Sequence, residues 1–533
     1  MESLPAAGVS SRTALSNAGL KNALVATAAA LYLLSCAGLA ETKRPWADEG
    51  WFVNISDSIL TRGNTGVSVL RPDGTVMAPG RVVKDIDQGF YLWFPTQELF
   101  NAGFYKVFGL GNLQMRAASV AWGAVLLISL YSLVRGLTAS SLTAALALLL
   151  CSVDVAFLNA ATEGRMDVMC AALWLSALAA YERLRSKSLF TALLAGNSLL
   201  ALSMLTHPIG LIGFPLLAVL VLGLDRKNLR LPHLVAVAVP YLFAMGAGAL
   251  YLSRDIEAFR SQFGLVSKSN RFTILISPGQ TVLREFSARI AQFYLPAFSS
   301  GAQRWVRGLI PLALGAGFFG AALEPSIRRE RGARLLVILA GSSFLVMSVY
   351  DGAKQTYYLV HMTPLFCSVA ALWLTRVWLR PGGRILVTGY LAILLGLQLL
   401  WTASSIVRDP FHRSFLPMAR YVGDRLHTCG DRCFVIASAE LGLELGFDDS
   451  RLHDDFLLGY RSGLKPDYIV MDGKGYYSNL EGLDTTYPAI AAYMHALLAR
   501  RYHKIYSDGY YDVFALNEKG ASPPFDQDRF RTQ

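Results

Sequence analysis

Long apolar runs separated by short polar connections make up the first three quarters of the chain. The first run, about Ala23 to Ala40, follows a basic segment holding Arg12 and Lys21, so it predicts a membrane crossing that starts on the cytoplasmic side. Further runs of about 16 to 22 residues, the length a bilayer requires, lie near Met115–Val134, Ser141–Leu158, Met166–Tyr181, Leu189–Leu205 and Ile209–Leu224. Five more follow, near Leu234–Leu252, Trp305–Leu323, Leu335–Val349, Tyr357–Trp378 and Ile385–Ile406. Together these predict about eleven crossings, and an odd number puts the chain ends on opposite sides of the membrane.

Between the first two crossings the pattern changes. Phe52, Ile55, Ile59 and Leu60 fall on helical spacing and predict an amphipathic helix over Trp51–Leu60. A loop with Gly63, Pro72, Gly74, Pro79 and Gly80 follows. Phe90–Leu110 is aromatic but interrupted by Pro95, Gln97, Glu98, Asn101 and Lys106, too polar to face lipid, and reads as interfacial or half-buried. Beyond about Val407 the composition becomes that of a soluble domain. Cys433–Ala437 and Asp467–Met471 predict buried strands, Tyr511–Leu516 a final strand, and Glu440–Leu445 and Ile490–Arg501 helices. The fold class expected is a mainly α polytopic membrane bundle with a small C-terminal α/β domain. The division expected is 1–409, including a long first external loop at 41–112, and 410–533. No Gly-rich phosphate loop opens a helix in the tail, so a nucleotide site is not supported.

Composition agrees with the run pattern: of 533 residues, 53% are hydrophobic and 16% charged, with a mean hydropathy of +0.39, too little polar surface for a soluble protein of this size. The net charge of +11 does not indicate nucleic acid, because the basic residues cluster in short loops. Loops at Arg135, 182–187, 225–230, 328–331 and Arg376 with Arg380 and Arg384 are rich in Lys and Arg and are assigned to the cytoplasm. The alternate set holds Asp48-Glu49, 163–167, 206–208, the connection 253–304 and 351–354, and is assigned to the extracytoplasmic side of a plasma (inner) membrane. Leu-Ser-Cys36 and Ala-Gly-Leu-Ala40 faintly resemble processing sites, but the long run and the spans after it favour an uncleaved anchor. Cys36, Cys151, Cys170 and Cys367 lie in or beside apolar runs as packing residues. Cys429 and Cys433 can form a small disulfide in an oxidising compartment; a zinc site there lacks ligands, with only His427 close.

The external set gathers the chemistry. It holds carboxylates (Asp48, Glu49, Asp85, Asp87, Glu163, Asp167), cations (Lys84, Arg165, Lys354) and histidines (His207, His361). A carboxylate can take a proton from an attacking hydroxyl, and fixed cations can stabilise a departing phosphate. Plainer readings exist for each: a helix cap for Asp48-Glu49, an interfacial ion pair for Arg165 and Asp167, a turn for His207-Pro208, and snorkelling for Lys354. Their arrival together on one side is what argues for a site.

These residues carry a resemblance. Asp48-Glu49 with the following helix, the aromatic segment leading to Arg116, Gly164-Arg165-Met166-Asp167 opening a span, and Lys354-Gln355-Thr356-Tyr357-Tyr358 running to Pro364 make the chain similar to polyprenyl-phosphate-dependent glycosyltransferases of the GT-C superfamily. The bacterial group related to dolichyl-phosphate-mannose protein mannosyltransferases and lipid A aminoarabinose transferases is the part it most resembles. The resemblance implies Asp48 as general base, with Glu49 beside it and Asp167 as a second acid. It implies Lys354, Arg165 and His361 on the donor phosphate. Where the aminoarabinose enzymes carry a basic residue after the acidic pair, this chain has Trp51, and Asp87-Gln88 stands in place of their Lys-Pro element, with Lys84 the candidate substitute. The implied donor is a polyprenyl-phosphate-linked sugar and the acceptor a hydroxyl on protein, lipid or glycan, transferred with inversion. No metal motif is evident; if a divalent ion is used, Asp48 and Asp167 are its candidate ligands. The rival readings are a transporter or flippase, which predicts broken helices with polar residues at mid-membrane, and a non-catalytic assembly protein.

Overall fold

The computed structural model describes residues 9–70, 83–267, 278–296, 301–430 and 432–517; Pro72, Gly74, Pro79 and Gly80 of the expected loop fall outside them. In chain order the first helices are α1 (Val9–Thr42), α2 (Ala47–Thr61), α3 (Thr96–Phe108), α4 (Asn112–Thr138), α5 (Ser141–Ser152), α6 (Val155–Ala161) and α7 (Asp167–Leu184). Next come α8 (Leu189–Thr206), α9 (Gly213–Asp225), α10 (Leu231–Leu252), α11 (Ile256–Ser267), α12 (Pro278–Arg284), α13 (Ala291–Tyr294) and α14 (Gly301–Leu323). The last helices of the bundle are α15 (Pro325–Arg329), α16 (Arg331–Tyr350), α17 (Thr363–Trp378) and α18 (Gly383–Arg408).

Among the described residues, 8 helices are long and apolar enough to cross a membrane, or 9 when the bent pair α5 and α6 counts as one span. The two remaining expected crossings are α7, which carries Asp167, Glu182 and Arg183, and the 16-residue α17; both are helices of the bundle that fall short of that criterion. The run expected as a continuous span over 141–158 is broken instead, with a 68° bend between α5 and α6. Asp154 is the cause. Its Oδ1 accepts the N–H groups of Ala156 (2.9 Å) and Phe157 (3.0 Å), capping α6, and its Oδ2 accepts from Gln398 Nε2 of α18 at 2.9 Å. Every oxygen of this buried acid is occupied by a structural bond, so the break is a cap and not an open polar site.

The C-terminal region continues from α18 through α19 (Leu416–Cys429) into a mixed sheet of β1 (Val435–Ile436), β2 (Leu452–His453), β3 (Tyr468–Asp472), β4 (Tyr502–Ser507) and β5 (Tyr511–Leu516). Its helices are α20 (Gly442–Leu445), α21 (Tyr476–Thr486) and α22 (Pro488–Arg501). The strand order is β2-β1-β3-β5-β4, with β1 parallel to β2 and β3 and β5 antiparallel to β3 and β4. Cys429 and Cys433 are joined in a disulfide ahead of β1.

Alternation along β3 assigns the two faces of this sheet. Ile469 and Met471 pack with α21 and α22, whereas Val470 points the other way into a core shared with α19. That second core also contains Trp51, Phe52, Val53 and Ile55 of α2, with Val67, Val69 and Leu70 behind it. The apolar face of the first external loop is therefore buried against the C-terminal sheet, 400 or so residues away in sequence. At the contact, a Cβ on Gly50 would lie 2.3 Å from the Glu440 backbone nitrogen, so only glycine permits the approach.

Candidate active site

The helix that carries Asp48 and Glu49 begins at Ala47, earlier than its apolar periodicity predicts, with Trp46 as N-cap. Both acids lie in its first turn, and their environments separate them. Glu49 is fully buried: its Oε2 accepts the Trp46 N–H at 3.2 Å, closing the turn, and its Oε1 accepts the Gly164 N–H at 2.8 Å. Arg116 of α4 stands 3.8 Å away. Burial raises the Glu49 carboxyl above its usual range, with Arg116 opposing. Glu49 thus ties α2 to the α6–α7 connection and to α4, a positioning role.

Asp48 instead pairs with Arg165 Nη1, and Arg165 Nε is 2.8 Å from Asp167 Oδ2. The side chain of Asp48 is 27% exposed, against 2% for Asp167 and 0% for Glu49, so Asp48 is the carboxylate of this cluster that can meet a substrate. The Arg165 guanidinium lies on the Tyr357 ring at 3.8 Å, with the Trp46 ring at 5.3 Å. Burial opposes its charge, but Asp167 and Asp48 outweigh that and hold it firmly protonated.

A second charged cluster lies in the 351–355 connection and the π-helical turn Glu285–Ile290. Lys354, fully buried and held at φ +56°, places its Nζ 2.9 Å from Glu285 Oε2 and donates to the Ser348 carbonyl. Arg289 reaches Asp351 Oδ2 at 2.9 Å, the Gln355 carbonyl at 2.8 Å, and Glu285. Burial lowers the affinity of Lys354 for its proton, with Glu285 opposing. An aromatic pair joins the clusters: Tyr357, under Arg165, contacts Tyr358 edge-on at 4.6 Å, and Tyr358 lies 6.0 Å from Arg289. His361 is buried at the end of the 3₁₀ turn Thr356–His361 that carries both tyrosines; its Nδ1 accepts from Trp174 at 3.1 Å and its Nε2 has no partner among the described residues. His207 packs between Trp93 (5.5 Å) and Tyr358 (5.6 Å).

An apolar cavity of about 180 Å³ lies between the π-helical turn and α14, α16 and α17, lined by Phe286, Ile290, Phe318, Phe344, Leu359 and Phe366 among others. Glu285 and Arg289 of the charged cluster share this turn with Phe286 and Ile290 of the cavity wall.

The structure thus brings together Asp48, Arg165 and Asp167, places Glu49 behind them, and links them through Tyr357 and Tyr358 to Lys354 and His361. Lys84 joins neither cluster in any contact among the described residues; it is exposed and pairs with Glu257 of α11. Glu285, Arg289 and Asp351 complete the second cluster. The Glu-to-Arg spacing of four in the 253–304 connection was the available signal for the first two. As metal ligands Asp48 and Asp167 fit poorly, since they already share the Arg165 cation. Among the described residues the one group of three potential ligands is Cys429, Cys433 and Asp467, and its cysteines are consumed by the disulfide.

Residues 95–247 match the family described as dolichyl-phosphate-mannose-protein mannosyltransferase. The structure is similar to that of ArnT from Cupriavidus metallidurans bound to undecaprenyl phosphate (TM-score 0.58, 16% identity, covering 95% of this chain and 99% of that one). The same protein in its apo state matches with a TM-score of 0.59 at 16% identity over the same shares of both chains. The Archaeoglobus fulgidus oligosaccharyltransferase tethered with an acceptor peptide matches with a TM-score of 0.50 and 11% identity, over 92% of this chain and 74% of that one. No curated protein matches the sequence. The fold is the one these solved structures share, in a multi-pass membrane protein.

Proposed function

We propose that this chain is a membrane glycosyltransferase that moves a sugar from a polyprenyl-phosphate donor to a hydroxyl acceptor on the extracytoplasmic face. The observation that carries the reading is the layout of the site. One accessible carboxylate, Asp48, stands across an aromatic bridge from two buried cations, Lys354 and Arg289, and the π-helical turn that carries Arg289 also lines an apolar cavity through Phe286 and Ile290. A lipid-linked sugar phosphate has the matching sequence of parts: apolar chain, phosphate, sugar.

In this reading the first part of the lipid chain takes the apolar cavity and the phosphate takes a share of Lys354 and Arg289, which Glu285 and Asp351 keep oriented. Asp48 accepts the proton of the acceptor hydroxyl as its oxygen attacks the sugar C1 from the face opposite the phosphate. The new C1–O bond forms as the C1–O(phosphate) bond breaks, its electron pair leaving on the phosphate oxygen beside the cations, so the product is inverted. Arg165 holds Asp48 aimed through their ion pair. The similar ArnT structure is bound to undecaprenyl phosphate, which is the leaving group of the donor class proposed here.

The test is mass spectrometry of lipid-linked sugars and surface glycans in strains carrying the native chain or Asp48→Asn at matched membrane levels. Accumulation of one polyprenyl-phosphate sugar with loss of one glycan residue supports transfer. Identical profiles remove Asp48 from the chemistry and put a flippase or an assembly protein ahead.

A further inference from the structure

We infer that the C-terminal sheet domain is a working part of the active site, in which Asp454 is a positioning residue that clamps α2 through Trp51 and so fixes Asp48. This deepens the transferase reading and rests on it.

In open α/β sheets the carboxyl ends of parallel strands form the crevice that ordinarily receives a ligand. Here β1, β2 and β3 are mutually parallel, and their carboxyl ends lead into Ser438-Ala439-Glu440, Asp454-Asp455 and Asp472-Gly473. What fills the crevice is α2. Trp51 Nε1 donates to Asp454 Oδ2 at 2.8 Å, and Gly50 lies directly against the Ala439–Glu440 backbone. The Asp454 N–H donates to the Val69 carbonyl at 2.8 Å, securing the segment that follows α2. Asp454 is in turn fixed from its own domain by the Ala439 N–H (3.1 Å) and the Tyr476 hydroxyl (3.0 Å).

Asp48 lies three residues before Trp51, within one helical turn. Its own tether, Arg165, belongs to the bundle. The acid is therefore located by two bodies, Arg165 through its carboxylate and Asp454 through its backbone. Loss of the second constraint lets α2 rotate or slide on its apolar bed, and a displacement near 1 Å at a reacting group costs up to about 100-fold in rate.

The experiment uses the purified full chain in lipid nanodiscs, with the lipid-linked sugar that accumulates in the Asp48→Asn strain as donor and membranes of that strain as acceptor. Trp51→Phe keeps the ring and removes the N–H; Asp454→Asn keeps the shape and removes the charge. The expected result is a fall in kcat of about 10- to 100-fold for either variant, with donor KM and membrane level unchanged, and a double variant no worse than the worse single one. Wild-type kcat in Trp51→Phe, or multiplying losses in the double variant, overturns the clamp, and so does a rise in donor KM or a lost membrane level with kcat preserved. If Asp48→Asn itself leaves transfer intact, it is the transferase reading that has failed, a separate outcome.

Discussion

Arg165 is one cation serving two carboxylates in unlike surroundings, so replacing it should separate stability from activity. Asp167 is buried beside it, with Oδ2 2.8 Å from Arg165 Nε and Oδ1 without a partner among the described residues. Arg165→Met would leave that carboxylate buried with no counter-charge, a situation that costs roughly 3 to 5 kcal/mol. Asp48 can turn to solvent at 27% exposure, so losing the same cation should cost it under about 1 kcal/mol. The stability loss therefore belongs to Asp167 and the activity loss to Asp48. Adding Asp167→Asn to Arg165→Met removes the stranded charge and should recover most of the stability, to within about 1 kcal/mol of wild type, while transfer stays absent because Asp48 remains unaimed. Thermal unfolding of the detergent-purified chain, read as a double-mutant cycle beside transfer by mass spectrometry, measures both. Equal melting of Arg165→Met and wild type, or a double variant less stable than the single one, would refute the buried-pair reasoning.

Three further outcomes are expected. Gly50→Ala forces α2 off the Glu440 backbone, where its Cβ would sit at 2.3 Å; we expect a loss of about 1 to 3 kcal/mol in thermal unfolding together with reduced transfer, and an unchanged melt would contradict the packing. Lys354→Gln strands part of the charge of Glu285 and removes one cation from the proposed phosphate site, so donor KM should rise at least about tenfold, roughly 1.4 kcal/mol, and an unchanged KM would move the donor phosphate elsewhere. The carboxyl of Asp454 is pushed up to about 7 by burial, with Trp51 and Tyr476 opposing and Asp472 adding to the rise. Neighbouring Glu440 is also raised by burial, then by Asp472. Because the folded chain holds the Asp454 proton more tightly than the unfolded one, this contribution to stability is complete below the ordinary aspartate range and is lost as pH rises through about 7. Unfolding scans from pH 5 to 8 should show Asp454→Asn less pH-dependent than wild type; parallel curves would exclude it.

Hydropathy was enough to locate the helices of the bundle, nine of the eleven expected crossings being long and apolar enough to span when the bent pair counts as one, because lipid imposes one requirement, a run of apolar residues long enough to span, on each segment independently. What it could not show was the break at Asp154. One acid within an apolar run alters the average little, and its effect depends on Gln398 arriving from α18 to occupy Oδ2. The final strand, Tyr511–Leu516, was legible to the residue from its composition and flanks, whereas β2 at Leu452–His453 has two residues and exists because β1 lies beside it.

The site followed the same division. Asp48, Arg165 and Lys354 were legible as charged residues gathered in connections assigned to one side, but their roles depend on who faces them. Adjacent in sequence, Asp48 and Glu49 look interchangeable; Gly164 and Arg116, brought in from the bundle, take Glu49 out of reach of substrate and leave Asp48. Lys84 looked equivalent to Lys354 and ended on the surface beside Glu257. The least legible fact was the socket for α2, because an apolar helical face states that it must be buried and not against what. That the partner is the C-terminal sheet follows from Gly50: a helix that carries a glycine where its neighbours are Glu49 and Trp51 has been shaped to admit another backbone, and Ala439–Glu440 is the backbone admitted. A chain built this way cannot lose its sheet domain without loosening the helix that holds Asp48.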